Sequence, residues 1–234
     1  CTPDGMTARN LPSLRRRTMR DDPVDEWTMP DLELIGRQSS HYTRIARIFA
    51  HELGLAPRFV PILALLARDA GAFAGNPALR LAILRIDGDS VFGTANICRC
   101  LARAADAESQ VFWPEQADTP LLMNAHELLA QAMATQVEVV MHDHVAQRPP
   151  DDVSEKRRQG LLDSVAWLDA HLAAIRDALP PARLCWFDVA LFCLIEHFPF
   201  RNPIDLGQRG ALAAFAAEFA GRASASATPY RFDR

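Results

Sequence analysis

Hydroxyl side chains stand at the predicted starts of two helices, where residues of this type can bind an anion. Ser39 and Ser40 precede "HYTRIARIFAHELGL", whose apolar residues recur at helical spacing, and Gly93-Thr94 opens the helical segment "TANICRCL". The first amides of a helix have no partner within it, and a nearby hydroxyl adds another donor for a thiolate or carboxylate. Serine and threonine are also preferred helix N-caps, so the sequence leaves a ligand site and a plain cap open at both places.

Two closely spaced pairs have the residue types of metal ligands. Cys98 and Cys100 are two positions apart, as are His142 and His144. Side chains two apart on a helix point in different directions. We therefore expect the cysteines to pack in the core, and we expect no metal site at the histidines.

Composition and charge restrict the class of protein. With 49% hydrophobic and 23% charged residues, the chain is expected to be globular. The net charge is -4 and no predicted folded segment has a concentrated basic face, so we expect no nucleic-acid partner. No apolar run reaches the roughly 20 residues that cross a bilayer, and there is no signal-peptide pattern. The absence of such segments predicts a cytoplasmic protein with no membrane association. The number of cysteines is odd, five, which predicts free thiols in a reducing compartment.

The periodicity divides the chain into two parts of different type. The strand "LELIG" and its helix are followed by "RFVPILAL", an expected edge strand because Pro61 has no amide to donate. Helical "LLARDAGAFAG" comes next, and then "LRLAILRI" and "SVF", joined by the turn signal Asp87-Gly88. With the helix after Gly93, the order βαβαββα predicts an α/β thioredoxin-like domain. The later segments all have helical periodicity, which predicts an all-helical bundle.

These patterns suggest four regions. Residues 1–30 mix Arg and Asp clusters with proline and are expected to form a flexible tail. Residues 31–107 form the thioredoxin-like domain, 108–118 a linker with lapsed periodicity, and 119–234 the all-helical domain. The alanine-rich "ASASATPY" near the end is expected to fray.

Several strings, in this order and spacing, resemble the cytosolic glutathione S-transferase family. "LELIGRQSSHYTRIARIFAHELGL" resembles its opening strand, catalytic loop and first helix. "NPALRLAIL" and "DGDSVFGTANICRCL" resemble later motifs of its first domain, and "LLDSVAWLDAHLA" and "CWFDVALFCLIEHF" resemble two helices of its second. The likeness covers about Asp31 to Tyr230. It implies the glutathione S-transferase fold, in which a thioredoxin-like domain precedes a helical bundle.

The resemblance also implies an activity, that of a divergent, serine-type-like member adding the glutathione thiolate to a small hydrophobic electrophile. It assigns Ser40, or its neighbour Ser39, the hydroxyl that stabilises the thiolate. Such a donor is needed because a free thiol, with a pKa of about 8.5, is mostly protonated near neutral pH. It assigns the γ-glutamyl carboxylate to Thr94 and the cysteinyl part of glutathione to the Leu81 backbone. Glutathione is thus the expected co-substrate, and a homodimer the expected assembly.

Two residues of the implied glutathione site depart from the family's pattern. Gly93 stands where the family has a glutamate, and Ala82 where it has a cis-proline. A cis bond before a residue other than proline costs about 2.5 to 4 kcal/mol, so we expect Leu81–Ala82 to be trans. The departures favour an alternative, a non-catalytic dimeric binding or interaction protein with a degenerate site. A thiol-disulfide oxidoreductase is disfavoured, because no cysteine lies in the catalytic loop.

Three further residues receive roles from the resemblance. Tyr42 and His126 are candidates to line the cleft for the hydrophobic substrate, although His126 could equally belong to a solvated helix face. Asp188 matches a buried capping aspartate with a structural role. Its usual Ser or Thr partner is replaced by Cys185, which weakens that cap.

Overall fold

The computed structural model describes residues 30–180, 184–201 and 209–233. The predicted flexible tail, except for Pro30, lies outside these residues.

The first part of the chain forms a four-stranded mixed sheet with helices. In chain order it comprises β1 (Leu32–Gly36), α1 (His41–Glu52), β2 (Arg58–Pro61), a 3₁₀ turn (Ala70–Phe73), β3 (Ile83–Ile86), β4 (Asp89–Phe92) and α2 (Thr94–Ala104). The strand order is β2-β1-β3-β4, with β1 and β2 parallel and the other neighbours antiparallel. The thioredoxin-like fold class is confirmed, and β2 is an edge strand as Pro61 predicted.

The helix predicted between β2 and β3 is only the four-residue 3₁₀ turn. Its end is set by backbone conformation, because Ala74 has a φ of 51° and Gly75 a φ of 85°, both in the left-handed region. A regular helix cannot continue through two such residues. The predicted Asp87-Gly88 turn does join β3 to β4, with φ values of 49° and 92° that suit a two-residue hairpin.

The sheet register brings three predicted site segments to one end of the sheet. Ile35 of β1 pairs with Ile83 of β3, which pairs in turn with Phe92 of β4. The residues that follow Ile35 and Phe92 therefore leave the sheet at the end where the chain enters β3. The Ser39-Ser40 loop, Leu81–Ala82 and Gly93-Thr94 all lie at this end.

The second part of the chain is helical, as predicted. Its helices are α3 (Pro120–Val140), α4 (Asp152–Ala178), α5 (Trp186–Arg201), α6 (Gly210–Ala220) and α7 (Ala223–Ala227), and α3 continues into a π-helical turn (Met141–Val145). Apart from Asp188, the residues of α5 from Phe187 to Leu194 are buried, and they belong to the same hydrophobic core as α1 and α2. Two short parallel strands, β5 (Val111–Phe112) and β6 (Leu184–Cys185), join the linker to the start of α5 and were not predicted.

The alanine-rich segment predicted to fray is instead packed. Ser224 of α7 is 1% exposed and donates from its hydroxyl to Glu52 of α1 at 2.5 Å. Thr228 donates to the Ser224 carbonyl at 2.8 Å. The prediction was wrong because small side chains allow α7 to lie close against α1. Among the described residues, no helix is long and apolar enough to cross a membrane.

Candidate functional site

A cavity of about 430 Å³ lies where the sheet end meets the helical domain. Its wall includes the loop after β1, the start of α1, the segment before β3, the end of α3 and part of α5. The lining residues are Arg37, Ser39, Ser40, His41, Tyr42, Leu65, Leu79, Arg80, Leu81, Val137, Glu138, Val140, Met141, His197 and Arg201. Ser40, Tyr42 and Leu81 of the predicted site thus share one cavity.

Ser40 is the N-cap of α1 and also faces the cavity. Its backbone is extended, with φ -96° and ψ 127°, and its Oγ accepts a hydrogen bond from the Thr43 amide at 3.4 Å. Within the described residues, Oγ donates no hydrogen bond of its own. A hydroxyl can accept and donate at once, so capping and ligand binding are compatible here.

His41, the first residue of α1, is a lining residue that the sequence did not reveal. It is 1% exposed, and neither ring nitrogen has a hydrogen-bond partner among the described residues. Its ring lies 4.4 Å from that of Tyr42 and 4.9 Å from that of His197. Burial, with a smaller effect of His197, holds its pKa well below the usual value, so the ring is neutral.

A buried histidine joins the helical domain to the loop that carries the serines. His197 on α5 lies 3.1 Å from the Gln136 amide nitrogen through Nδ1 and 3.1 Å from the Ser39 carbonyl through Nε2. A carbonyl only accepts, so Nε2 donates and Nδ1 accepts. Burial lowers the pKa of His197 to about 4, which keeps the ring in this neutral form. The sequence predicted no role at the site for His197 or Gln136, because both occur in segments with ordinary helical periodicity.

The Leu81–Ala82 bond is cis, so the expectation of a trans bond was wrong. The Asn76 side chain donates to the Arg80 carbonyl at 2.9 Å, and Ala82 is 1% exposed beneath the cavity. Leu81 itself lines the cavity.

Gly93 and Thr94 lie at the same sheet end but are not among the described residues that line this cavity. Gly93 is the N-cap of α2, with a φ of 84° that favours glycine, and Thr94 is the first helical residue and 8% exposed. The interpretation of Thr94 as a plain N-cap is therefore wrong, because the cap position falls one residue earlier. The first amides of α2 still lie beside its hydroxyl.

The remaining predicted residues divide between the cavity and other places. Burial raises the pKa of Tyr42, which lines the cavity, while the charge of Arg80 opposes that shift. His126 lies elsewhere, with its ring 5.5 Å from that of Phe187, and burial lowers its pKa to about 4. It is not among the described residues that line the cavity.

Asp188 lies at the start of α5 and faces a second cavity, of about 670 Å³. Burial raises its pKa, and the charges of Arg176 and Arg222 oppose the shift. Burial, with a smaller effect of the Asp188 charge, raises the pKa of the Cys185 thiol to about 11, and the nearby backbone amides oppose the shift.

The described residues contain no group of three or more potential metal ligands. His142 pairs with Asp143 at 2.8 Å, and Asp143 also binds Arg158 at 2.6 Å. Cys98 is buried and Cys100 is half-buried.

No family model and no curated protein matches the sequence. Solved structures match over most of the chain. A glutathione S-transferase from Methylobacillus flagellatus with glutathione bound has a TM-score of 0.69 at 20% identity, covering 86% of this chain and 100% of that one. One from Methylobacterium radiotolerans in complex with glutathione sulfonate has 0.67 at 19%, covering 87% and 97%. A transferase from Phanerochaete chrysosporium with oxidized glutathione has 0.66 at 12%, covering 85% and 94%.

The chain has the glutathione S-transferase fold. Within this fold, the cavity lies between the thioredoxin-like and helical domains. It has an unequal charge distribution, because Arg37, Arg80 and Arg201 line it and Glu138 is the one acid among the described lining residues. Burial and the nearby charge of Arg37 lower the pKa of Arg201. This excess of positive charge favours an anion in the cavity.

We predict that His197 makes stability depend on pH. Its folded pKa of about 4 lies below the unfolded value of about 6.5, so between these values the unfolded state binds more protons. The free energy of unfolding should fall as pH falls through this window, by up to about 3 kcal/mol from this group. Urea unfolding of wild type and His197→Gln measures it, and the variant should show the shallower dependence. Equal slopes would contradict the assignment.

Proposed function

We propose that this chain is a glutathione transferase that adds the glutathione thiolate to a small hydrophobic electrophile. The observation that carries the proposal is the Ser40 hydroxyl, which caps α1 and faces a cavity with an apolar wall from α3. A hydroxyl beside the free amides of a helix start is suited to stabilise a thiolate.

The local chemistry supports this role for Ser40. Its Oγ accepts from the Thr43 amide, and its own proton remains available to donate to sulfur. The three arginines of the cavity add a positive potential that favours the anionic form of the thiol. Both effects lower the pKa of a bound thiol from its free value of about 8.5, which raises the thiolate fraction near neutral pH.

The end of the sheet has dimensions that suit an extended tripeptide. Neighbouring strands lie about 4.8 Å apart, so the ends of β1 and β4, separated by β3, are about 10 Å apart. Three extended residues span about 10 Å. In the proposed pose the sulfur of glutathione lies at Ser40. The backbone of Leu81, which precedes the buried Ala82, pairs with the cysteinyl residue. The γ-glutamyl carboxylate reaches Thr94 and the α2 amides.

Solved structures of the same fold support glutathione as the ligand. The transferases from Methylobacillus flagellatus, Methylobacterium radiotolerans and Phanerochaete chrysosporium bind glutathione or a derivative of it. For the electrophile, Val137 and Val140 of α3 and Met141 of the π-helical turn that follows it supply an apolar part of the cavity wall. Tyr42 borders the same space. We propose that this wall receives the apolar body of the second substrate.

One observation favours the alternative, a non-catalytic binding or interaction protein. Gly93 offers no side chain to the ligand's ammonium, and its positive φ disfavours any replacement that would. A site that lacks this contact would bind the tripeptide more weakly.

We predict that Ser40→Ala lowers kcat/KM for conjugation of an aromatic halide by about 100-fold, because it removes a donor aimed at developing charge. The dissociation constant of glutathione should change little. Steady-state kinetics and calorimetry measure the two quantities.

Two controls separate catalysis from capping in that experiment. Thr119→Ala removes a comparable N-cap, from α3, whose hydroxyl accepts from the Leu122 amide at 3.3 Å. It should cost stability but not activity. If Ser39→Ala caused the larger loss, the neighbouring hydroxyl would be the donor instead.

We predict that Thr94→Val raises the dissociation constant of glutathione about tenfold, because a hydrogen bond to a carboxylate is lost while side-chain volume is kept. Isothermal titration calorimetry measures this, with Thr135→Val on α3 as control. If wild type bound no glutathione at millimolar concentration, the transferase would be excluded and the non-catalytic alternative favoured.

We also propose a homodimer, as the resemblance implies. Leu63 and Leu66, which follow β2, are 56% and 70% exposed and suit a contact with a second copy. Light scattering should give twice the chain mass of 25.9 kDa, and Leu66→Glu should shift the protein towards monomer. Val153→Glu, at an exposed site on α4, is the control. A monomeric wild type would contradict the proposal.

A further inference from the structure

The segment after α7, residues Thr228–Asp233, contacts the loop Arg37–Ser40 through Asp233, and we call it the C-terminal strap. Asp233 accepts a hydrogen bond from the Gln38 backbone amide at 2.9 Å through Oδ2. Its other oxygen accepts from the Gln38 side-chain amide at 3.1 Å. The Asp233 side chain is 3% exposed. Gln38 and Asp233 are 195 positions apart in sequence, so this is a long-range contact.

The strap is fixed to α5 and α1 by its aromatic residues. The Tyr230 hydroxyl donates to the Cys193 carbonyl of α5 at 2.5 Å. The guanidinium of Arg44 lies 4.3 Å from the Tyr230 ring centre, and Phe232 packs on Phe200 with ring centres 4.9 Å apart. Asp233 is therefore presented to the loop from a well-anchored segment.

The loop that leads to Ser40 is consequently held at consecutive residues. Arg37 Nε lies 3.9 Å from Asp233, Gln38 makes the two hydrogen bonds above, and the Ser39 carbonyl accepts from His197. Ser40 is the next residue and has no side-chain contact with the strap among the described hydrogen bonds. Its position follows from that of the three residues before it.

We propose that Asp233 is a positioning residue, which sets the Ser40 hydroxyl against the bound thiol through its paired hydrogen bonds to Gln38. This inference rests on the proposed transferase function. A side chain with two acceptor oxygens is suited to the place, because it accepts from a backbone and a side-chain donor at the same time. Loss of both bonds releases the loop at Gln38 while leaving every lining residue in the chain.

The experiment compares Asp233→Ala with Asp233→Asn. The alanine variant removes both acceptors. The asparagine oxygen can still accept from the Gln38 backbone amide, and its NH₂ can donate to the Gln38 side-chain oxygen once that amide turns over. We expect kcat/KM near neutral pH to fall about tenfold in Asp233→Ala, and its pH profile to shift to higher pH, because the thiol is less ionised. Both variants remove the carboxylate charge beside Arg37, so the difference between them isolates the hydrogen bonds. Asp233→Asn should retain most of the activity, with a pH profile no higher than that of wild type.

Asp169→Ala is the matched control, because Asp169 accepts from the Leu212 amide at 2.9 Å at the start of α6, away from the cavity. It should reduce stability and leave the pH profile unchanged. If Asp233→Ala kept the wild-type profile, the proposal would be overturned. Equal losses in Asp233→Asn and Asp233→Ala would overturn it too, because charge rather than hydrogen bonding would then matter.

Hydrogen exchange of the Gln38 amide gives a readout that does not depend on turnover. It should be faster in Asp233→Ala than in wild type and Asp169→Ala, and unchanged exchange would show that the strap does not hold the loop. If wild type conjugates no electrophile, the proposed function fails and any catalytic part for Asp233 fails with it. Faster exchange in that case would leave the strap as a purely structural clamp.

Discussion

The position of the loop Arg37–Ser40 is the constraint on which the rest of the site depends. The loop leaves β1, enters α1 and is bound on its far side by His197 through the Ser39 carbonyl. Because it carries the cap of α1, it also fixes the direction of that helix's free amides. The proposed stabilisation of one sulfur atom requires a well-defined donor position, since the benefit of a donor decreases steeply with misalignment.

The sheet supplies the second half of the arrangement. The pairing of Ile35 with Ile83 and of Ile83 with Phe92 aligns the ends of three strands. The helical domain closes the space with the end of α3 and with α5, and the buried core continues between the domains. The cavity is therefore a product of two domains that share one interior, which explains why a buried imidazole can connect them.

The parts that the sequence predicted are those set by local patterns. The hairpin at Asp87-Gly88, the edge strand marked by Pro61 and the cap at Ser40 each follow from residues within a few positions. The interactions that it did not predict are long-range. Nothing local marks Gln38 as the partner of Asp233, or His197 as the partner of Ser39. The packed α7 belongs to this second group, because its Ser224 is held by Glu52, which is distant in sequence.

The account can be tested at the sulfur atom itself. Ultraviolet absorbance of the thiolate, titrated against pH with glutathione bound to the full chain, reports the ionisation of the bound thiol directly. A hydroxyl, free helix amides and three arginines around the cavity predict a bound thiol pKa clearly below the free value of about 8.5. A bound thiol that titrates as it does in free solution would contradict the central claim that this cavity stabilises a thiolate.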